Sequence, residues 1–195
     1  MSERSDQPPF TRLSSEIVVR NPWHCYRKDR YVRRDGTVGD YFHVDMPGSA
    51  GVIPVLPDGR AVLCEVRRYL LGTTLVEFPI GGMKQGEDPA AVAARECAEE
   101  TGYRPRRITP LGRFAPYKGA SNEVCWFFLG EDLEHVGQDL ESSEEIRTRL
   151  VPLRAVRALL LDSPLGDGQS LVAWLYLERL VATPAGAHLR PWLGS

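Results

Sequence analysis

The stretch GGMKQGEDPAAVAARECAEETGY, residues 81–103, places three glutamates within five residues of one predicted helix. Asp88 followed by Pro89 predicts where this helix begins, because an aspartate accepts hydrogen bonds from the first free N–H groups and a proline is tolerated in the first turn. Thr101 followed by Gly102 predicts where it ends, since glycine readily adopts the left-handed conformation of a helix C-cap.

The glutamates of this helix are Glu96, Glu99 and Glu100. At 100° per residue they fall on one side and are expected to face outward, opposite an arc of small residues: Ala90, Ala91, Ala94, Cys97, Ala98 and Thr101. A solvated helix face would give the same pattern. However, Glu96 and Glu100 form an i, i+4 like-charge pair that costs a few tenths of a kcal/mol, about 0.2–0.5. A divalent cation bound by the carboxylates would reverse that cost.

The spacing of this stretch matches the pattern G-x5-E-x7-R-E-U-x-E-E-x-G-U, in which U is a bulky apolar residue. The matching residues are Gly81, Glu87, Arg95, Glu96, Cys97, Glu99, Glu100, Gly102 and Tyr103. Cys97 and Tyr103 are the loosest fits. Chance agreement at the fixed positions is on the order of one in a million or rarer. This pattern is the Nudix box, and the chain resembles the Nudix hydrolase family.

The resemblance implies an α/β fold, namely a Nudix α/β/α sandwich with a mixed sheet in which the box forms a loop–helix–loop. It also implies hydrolysis of a nucleoside diphosphate linked to another group, with Mg²⁺, or Mn²⁺ in its place, as the cofactor. By motif position Glu96 and Glu100 are the main metal ligands and Glu99 is a further or water-mediated ligand. The backbone carbonyl of Ile80 is a fourth candidate ligand.

Two other charged residues of the box, Arg95 and Glu87, are expected to hold its loop and helix in register by ion pairing. Arg95 therefore counts as part of the catalytic machinery without contacting the metal.

The flanks resemble ADP-ribose and nucleotide-sugar pyrophosphatases. Upstream, RRYLLGTTLVEFPIGG makes Arg68 and Glu77 candidate substrate contacts, although Arg68 could equally be a solvated strand-end arginine. Downstream, APYKGASNEVCWFFLG makes Lys118 and Glu123 candidate substrate contacts. Lys118 stands where ADP-ribose pyrophosphatases carry proline, so a different diphosphate sugar remains open.

The acidic segment GEDLEHVGQDLESSEE is predicted to be a loop. By the resemblance Glu144 is a further metal-binding and catalytic glutamate. Ser142 stands where some relatives carry a catalytic base, and a serine cannot act as a base at neutral pH without activation. Glu141, Glu145 or a box glutamate could take that role, or the segment could be an ordinary solvated turn.

Before the box, β-rich runs joined at Asp35-Gly36 predict a small antiparallel unit, and a second hairpin is predicted around Pro57–Gly59. The resemblance assigns the first unit to a homodimer interface, with its aromatic residues either packing between protomers or stacking on a base. The expected organisation is a flexible tail (1–14), an N-terminal β extension (15–47), a Nudix domain (48–183) and a C-terminal tail (184–195).

Charge and composition indicate which classes of partner the protein binds. The chain has 24 basic and 26 acidic residues and a formal net charge of −2, which argues against nucleic acid or an anionic membrane as a partner. The sequence shows no signal-peptide pattern and no long apolar run, which favours a cytoplasmic protein. The four cysteines lack a metal-ligand spacing and are expected to be buried thiols.

The resemblance therefore implies a Mg²⁺-dependent pyrophosphatase that cleaves ADP-ribose or a related nucleoside diphosphate sugar to a nucleoside monophosphate and a sugar phosphate. Two alternatives are a Nudix enzyme that removes unwanted nucleoside triphosphates and a Nudix-like nucleotide sensor that does not hydrolyse. The intact box argues against the sensor, and the N-terminal extension argues against the triphosphatase.

Overall fold

The computed structural model describes residues 10–194, which form two compact units. The first unit comprises the chain up to Met46 together with Tyr117–Glu123. The second comprises Pro47–Pro116 together with the chain from Val124 onward.

The first unit contains an antiparallel sheet in the order β1-β2-β3. Its strands are β1 (Thr11–Arg20), β2 (Cys25–Val32) and β3 (Val38–Asp45). The predicted Asp35-Gly36 hairpin is confirmed: Gly36 has φ 81°, and Asp35 Oδ1 accepts a hydrogen bond from the Thr37 N–H at 3.0 Å.

The strand β1 begins earlier than expected. Thr11 already pairs with Val32 of β2, so residues 11–14 belong to the sheet and the predicted boundary of the tail at residue 14 is wrong. Both faces of β1 are largely exposed, so its first residues can be polar. Their sequence therefore shows no apolar pattern that would indicate a strand. Residues 1–9 of the predicted tail lie outside the described residues.

The segment Tyr117–Glu123 is tied to β3 by hydrogen bonds. The Val44 N–H donates to the Ala120 carbonyl at 2.8 Å, and the Tyr41 hydroxyl donates to the Gly119 carbonyl at 2.8 Å. The Asn122 side-chain amide donates to Asp45 Oδ1 at 2.7 Å. A segment distant in sequence therefore completes this unit.

The second unit contains two sheets, with orders β7-β4-β9-β8 and β10-β5-β6. Their strands are β4 (Ser49–Pro54), β5 (Arg60–Arg68), β6 (Thr73–Glu77), β7 (Ile80–Gly82), β8 (Tyr103–Phe114), β9 (Cys125–His135) and β10 (Ile146–Pro152). The pair β4–β9 is parallel and the others are antiparallel, which confirms a mixed sheet. Because β9 continues to His135, the predicted acidic loop is shorter than expected and occupies residues 136–145.

The helices of this unit are α1 (Pro89–Thr101), α2 (Leu153–Leu161), α3 (Gly168–Val181) and α4 (Arg190–Leu193), with a 3₁₀ turn at Pro184–Leu189. No helix within residues 10–194 combines the length and the apolar character needed to cross a membrane.

The hairpin predicted around Pro57–Gly59 is only partly correct. The turn exists, with Gly59 at φ 78° and the Leu56 N–H donating to the Arg60 carbonyl at 2.8 Å. Beyond it β4 and β5 meet at a single bridge, Val55–Ala61, and then enter different sheets. Every residue of β4 is buried, so this strand is covered on both faces.

Two apolar clusters occupy opposite faces of the mixed sheet. On β4 and β9, Val52 and Phe128 join the cluster that packs against α1, whereas Ile53 and Phe127 join the cluster that includes α2 and α3. Successive strand residues point to opposite faces. Helices therefore cover both sides, and the predicted α/β/α sandwich is confirmed. All four cysteines are buried, as expected.

The predicted C-terminal tail, residues 184–195, is instead part of the fold up to the last described residue. Leu189 is 2% exposed and lies in the larger apolar cluster. The Arg190 guanidinium donates to the carbonyls of Val181, Ala182 and Thr183 at the end of α3. Helix ends leave carbonyls without partners, and this arginine supplies the missing donors.

Candidate active site

The helix α1 has the predicted ends. Asp88 accepts hydrogen bonds from the N–H groups of Ala90 and Ala91, and Pro89 is the first helical residue. Gly102 has φ 77° and donates its N–H to the Ala98 carbonyl. The helix position is therefore determined by local sequence signals.

The expected orientation of α1 is wrong. Glu100 is only 8% exposed and the Glu96 side chain only 12%, whereas Ala91 is exposed. The glutamates do not face outward together, because the side chains of Glu96 and Glu100 lie against strand β7. There the Ile80 N–H donates to Glu100 Oε2 at 3.0 Å.

The carboxyl of Glu96 occupies space that Gly81 leaves open. A β-carbon on Gly81 would lie 2.0 Å from Glu96 Cδ, far inside van der Waals contact. Gly81 therefore allows the backbone of β7 to approach this carboxyl directly. The motif contains this glycine, but sequence reasoning gave it no role.

Both carboxyls are held where ionisation is unfavourable. Burial raises the pKa of Glu96 to about 7, partly opposed by the adjacent Arg95 guanidinium. Burial and the charge of Glu96 raise the pKa of Glu100 to about 8, opposed by the Ile80 N–H. Two buried acids side by side favour either a shared proton or a bound cation.

Arg95 pairs with two of the box glutamates. Its Nη1 lies 2.8 Å from Glu96 Oε1 and 2.9 Å from Glu99 Oε2. Glu87 instead closes its own loop, accepting the Lys84 N–H at 2.7 Å. Among the described residues no ion pair joins Arg95 to Glu87, so the expected ion pairing of these two residues is not formed.

Glu144 lies on the loop after β9. It is exposed, accepts the Glu141 N–H at 2.9 Å, and its charge contributes to the raised pKa values of Glu96 and Glu100. Its charge therefore acts on the same carboxyl cluster. Ser142 is exposed on this loop.

Gln138 fastens this loop to the end of α1, which sequence reasoning missed. Its amide donates to the Glu100 carbonyl at 2.6 Å, and the Asp139 N–H donates to the Glu99 carbonyl at 3.0 Å. In the sequence, Gln138 is only one of several polar residues that follow a strand. Nothing there distinguished it from its neighbours as a contact to α1.

Arg68 and Glu77 form a two-pronged ion pair across the β5–β6 hairpin. Arg68 Nε donates to Glu77 Oε1 at 2.8 Å, and Nη2 donates to Oε2. Glu77 is 2% exposed whereas the Arg68 side chain is 42% exposed. Burial raises the pKa of Glu77, and Arg68 opposes this effect. Within this pair Glu77 is therefore buried, and only Arg68 is accessible to solvent.

The remaining predicted contacts, Lys118 and Glu123, lie in the segment that belongs to the first unit. Lys118 is exposed, and the Glu123 N–H donates to Ser121 Oγ at 3.0 Å. The second unit by itself brings together Ile80, Arg95, Glu96, Glu99, Glu100 and Glu144.

A comparison with protein-family models shows which family the chain belongs to. The NUDIX domain profile matches residues 46–175, which include the whole box and the loop that carries Glu144. The chain belongs to the Nudix family.

Individual relatives narrow the subgroup. An ADP-ribose pyrophosphatase of Bacillus subtilis (strain 168) is 30% identical over 137 residues, 69% of this chain and 74% of the relative. The CMP-5'-(N-acetyl-N-hydroxy-3-aminopropyl)phosphonate hydrolase of Streptomyces rubellomurinus (strain ATCC 31215) is 34% identical over 126 residues, 64% of this chain and 61% of the relative. The chain is thus a Nudix hydrolase of pyrophosphate bonds, related to ADP-ribose pyrophosphatases.

The overall fold is also found in a solved structure. A solved structure described as a crystal structure of ADP compounds hydrolase superposes with a TM-score of 0.77, covering 92% of this chain and 97% of that one at 18% identity.

The donor set of the Nudix site suits a hard divalent cation. Within residues 10–194, no three acidic, histidine or cysteine side chains already converge as a complete ligand set. The carboxyls of Glu96 and Glu100, whose pKa values are raised, nevertheless supply oxygen donors beside the backbone of β7. Mg²⁺ is usually held by one or two carboxylates, with water and substrate phosphate completing its shell, so the residues present fit this ion.

Proposed function

We propose that this Nudix hydrolase cleaves ADP-ribose, or another nucleoside diphosphate sugar, to a nucleoside monophosphate and a sugar phosphate in the presence of Mg²⁺. The observation that carries the proposal is the pair of high-pKa carboxyls, Glu96 and Glu100, which lie against the backbone of Ile80 and Gly81. The similarity to an ADP-ribose pyrophosphatase supports the substrate class.

In this proposal Glu96, Glu100 and the Ile80 carbonyl hold the ion, and Glu99 and Glu144 are further ligands, directly or through water. Mg²⁺, or Mn²⁺ in its place, supplies positive charge to the pyrophosphate and lowers the pKa of bound water. Arg95 holds Glu96 and Glu99 in place through the ion pairs already described.

The half-exposed guanidinium of Arg68 contacts a phosphate or sugar oxygen of the substrate in this proposal. Arginine suits this role because its planar fork matches pairs of anionic oxygens. Glu77 takes two of the guanidinium donors and so limits the orientations of the remaining ones. Lys118 and Glu123 remain proposed substrate contacts.

The general base is assigned to an acidic residue and not to Ser142. The candidates are Glu141, Glu145 and the box glutamates. Glu144 is kept as a metal ligand, because its charge acts on the carboxyl cluster.

We also propose that the small β unit forms a homodimer. Its strand β1 exposes several apolar side chains, each close to half exposed: Leu13, Ile17, Val18 and Val19. Several exposed apolar side chains on one edge strand are typical of an interaction surface.

A substrate panel tests the reaction. Product release is measured from ADP-ribose, ADP-glucose, GDP-mannose, UDP-glucose and dGTP, with Mg²⁺ or with EDTA. Metal-dependent cleavage of one diphosphate sugar, lost in Glu100→Gln, is expected. Preferential cleavage of dGTP would favour the triphosphatase, and a nucleotide that raises the melting temperature without turnover would favour the sensor. A CMP-linked substrate belongs in the panel because one relative is a hydrolase of a CMP-linked phosphonate.

A further inference from the structure

A cavity of 830 Å³ opens between α2, α3 and the C-terminal segment of the second unit. The residues that matter for its chemistry are Arg154, Arg157, Trp174, Glu178, Ala187 and Arg190. It belongs to the α2 and α3 side of the mixed sheet, whereas α1 packs on the opposite face. It is therefore a separate site from the box glutamates.

The cavity carries more positive than negative charge. Its three arginines face one carboxylate, Glu178, whose Oε1 lies 3.4 Å from Arg157 Nε and also accepts the Trp174 indole N–H at 2.7 Å. Arg190 is engaged with the carbonyls at the end of α3. Among residues 10–194, no acidic side chain forms an ion pair with Arg154. The wall therefore contains Arg154 without a carboxylate partner, and Arg157, whose partner Glu178 also accepts the Trp174 indole N–H.

The rest of the lining is apolar and aromatic. Trp174 is 4% exposed and forms part of the wall, together with Val181, Pro191 and Leu193. Cavities of about 300–1,000 Å³ with mostly apolar walls and a few placed polar groups are typical of small-molecule sites. A flat apolar body would contact this wall while an acidic group reached the arginines.

We propose that this cavity binds a small organic anion, with its apolar or aromatic body against the Trp174 wall and its acidic group at Arg154 and Arg157. Charge complementarity selects an anion, and the apolar lining selects an organic anion over a bare inorganic one.

The probe for a test is 8-anilinonaphthalene-1-sulfonate, an aromatic monoanion whose fluorescence rises on binding. N-phenyl-1-naphthylamine, which has the same aromatic body without the sulfonate, reports the apolar contribution alone. Dissociation constants are measured for the full chain, for Arg154→Gln/Arg157→Gln and for Arg34→Gln. Arg34 is exposed in the β2–β3 turn of the first unit, so its variant controls for the loss of surface charge.

The expected result is that the double variant binds the sulfonate about tenfold or more weakly, because charge-assisted hydrogen bonds are lost. Its affinity for the neutral compound and the sulfonate affinity of Arg34→Gln should each change less than about twofold. Equal sulfonate affinity in the wild type and the double variant would overturn the proposal, as would equal losses for the two probes.

A second variant tests the location without altering charge. Ala187 is part-buried in the cavity lining, and Ala187→Phe would fill the space while leaving each arginine in place. Binding of both probes should fall about tenfold at an unchanged melting temperature. Unchanged binding in this variant would show that the probes sit elsewhere, and the proposal would fail.

Discussion

Gly81 and Glu96 lie so close that a β-carbon on the glycine would fall 2.0 Å from the glutamate Cδ and 2.2 Å from Oε2. This absence of a side chain allows the β7 backbone and the carboxyl of α1 to share one site. The glycine at the start of the box therefore has a steric role that can be tested directly.

Gly81→Ala should displace the Glu96 carboxyl and lower kcat/KM about 10- to 100-fold, because ångström-scale misplacement of catalytic groups has effects of that size. Gly82→Ala is the matched control, since a β-carbon there meets nothing within 4 Å. Steady-state kinetics across a Mg²⁺ titration measures both variants, with circular dichroism as a check on folding. Equal activity of the two variants would contradict the steric role.

The pair Arg68–Glu77 predicts coupled effects on substrate binding. Arg68→Ala should raise KM about tenfold, and Glu77→Gln should raise it by a similar factor, because Glu77 acts by orienting the guanidinium. The double variant should then be no worse than Arg68→Ala alone. Multiplicative losses in the double variant would mean that Glu77 acts independently of the arginine.

The raised pKa values of Glu96 and Glu100, about 7 and about 8 against an ordinary 4.5, predict how stability depends on pH. Between pH 4.5 and pH 8 these two carboxyls hold more protons in the native state than in the unfolded chain. The free energy of unfolding should therefore fall as the pH rises through this range. In EDTA the wild-type Tm should therefore fall on the order of 5–10 °C further between pH 5.5 and 8.5 than the Tm of Glu96→Gln/Glu100→Gln.

Mg²⁺ at pH 8 should raise the Tm of the wild type and not that of the double variant, because the ion stabilises the ionised carboxylates. Parallel pH curves for the two proteins in EDTA would show that these carboxyls do not titrate as described.

The ends of α1 were predictable because the signals are local. An Asp88 cap, a proline at the first position and a glycine at φ 77° all depend on adjacent residues. The direction in which the glutamates of α1 point was not predictable. Placing residues at 100° intervals gives only their angles relative to one another and does not show which side of the helix is buried. It assumes that charge faces water, whereas Glu100 is buried against the Ile80 N–H.

The role of Glu77 depended in the same way on tertiary information. Its partner, Arg68, lies across a hairpin whose register the sequence does not specify, so a polar residue in an apolar run indicated a site without showing which neighbour it meets. The attachment of the C-terminal segment was missed because it depends on tertiary contacts. A single buried leucine and the Arg190 hydrogen bonds attach it to the core.

Leu189→Ala tests that attachment. Leu189 is 2% exposed in the larger apolar cluster, and removing such a side chain costs about 2–5 kcal/mol. For a chain of this size the Tm should fall about 5–15 °C. Leu165→Ala, at a leucine that is 46% exposed, should change the Tm by less than about 2 °C. Equal Tm values for the two variants would restore the interpretation of residues 184–195 as a tail.

The proposed dimer predicts a change in molar mass when exposed apolar side chains of β1 are made polar. Ile17 and Val19 are 47% and 57% exposed, so Ile17→Asp/Val19→Asp should leave the isolated fold intact. If these side chains are buried between two copies, carboxylates in their place would oppose association strongly. Light scattering after size-exclusion chromatography should then give twice 21.8 kDa for the wild type and 21.8 kDa for the variant. Leu165→Asp, which places one aspartate at a similarly exposed leucine of the second unit, should retain the wild-type mass. A monomeric wild type, or a variant that stays dimeric, would remove β1 from the interface.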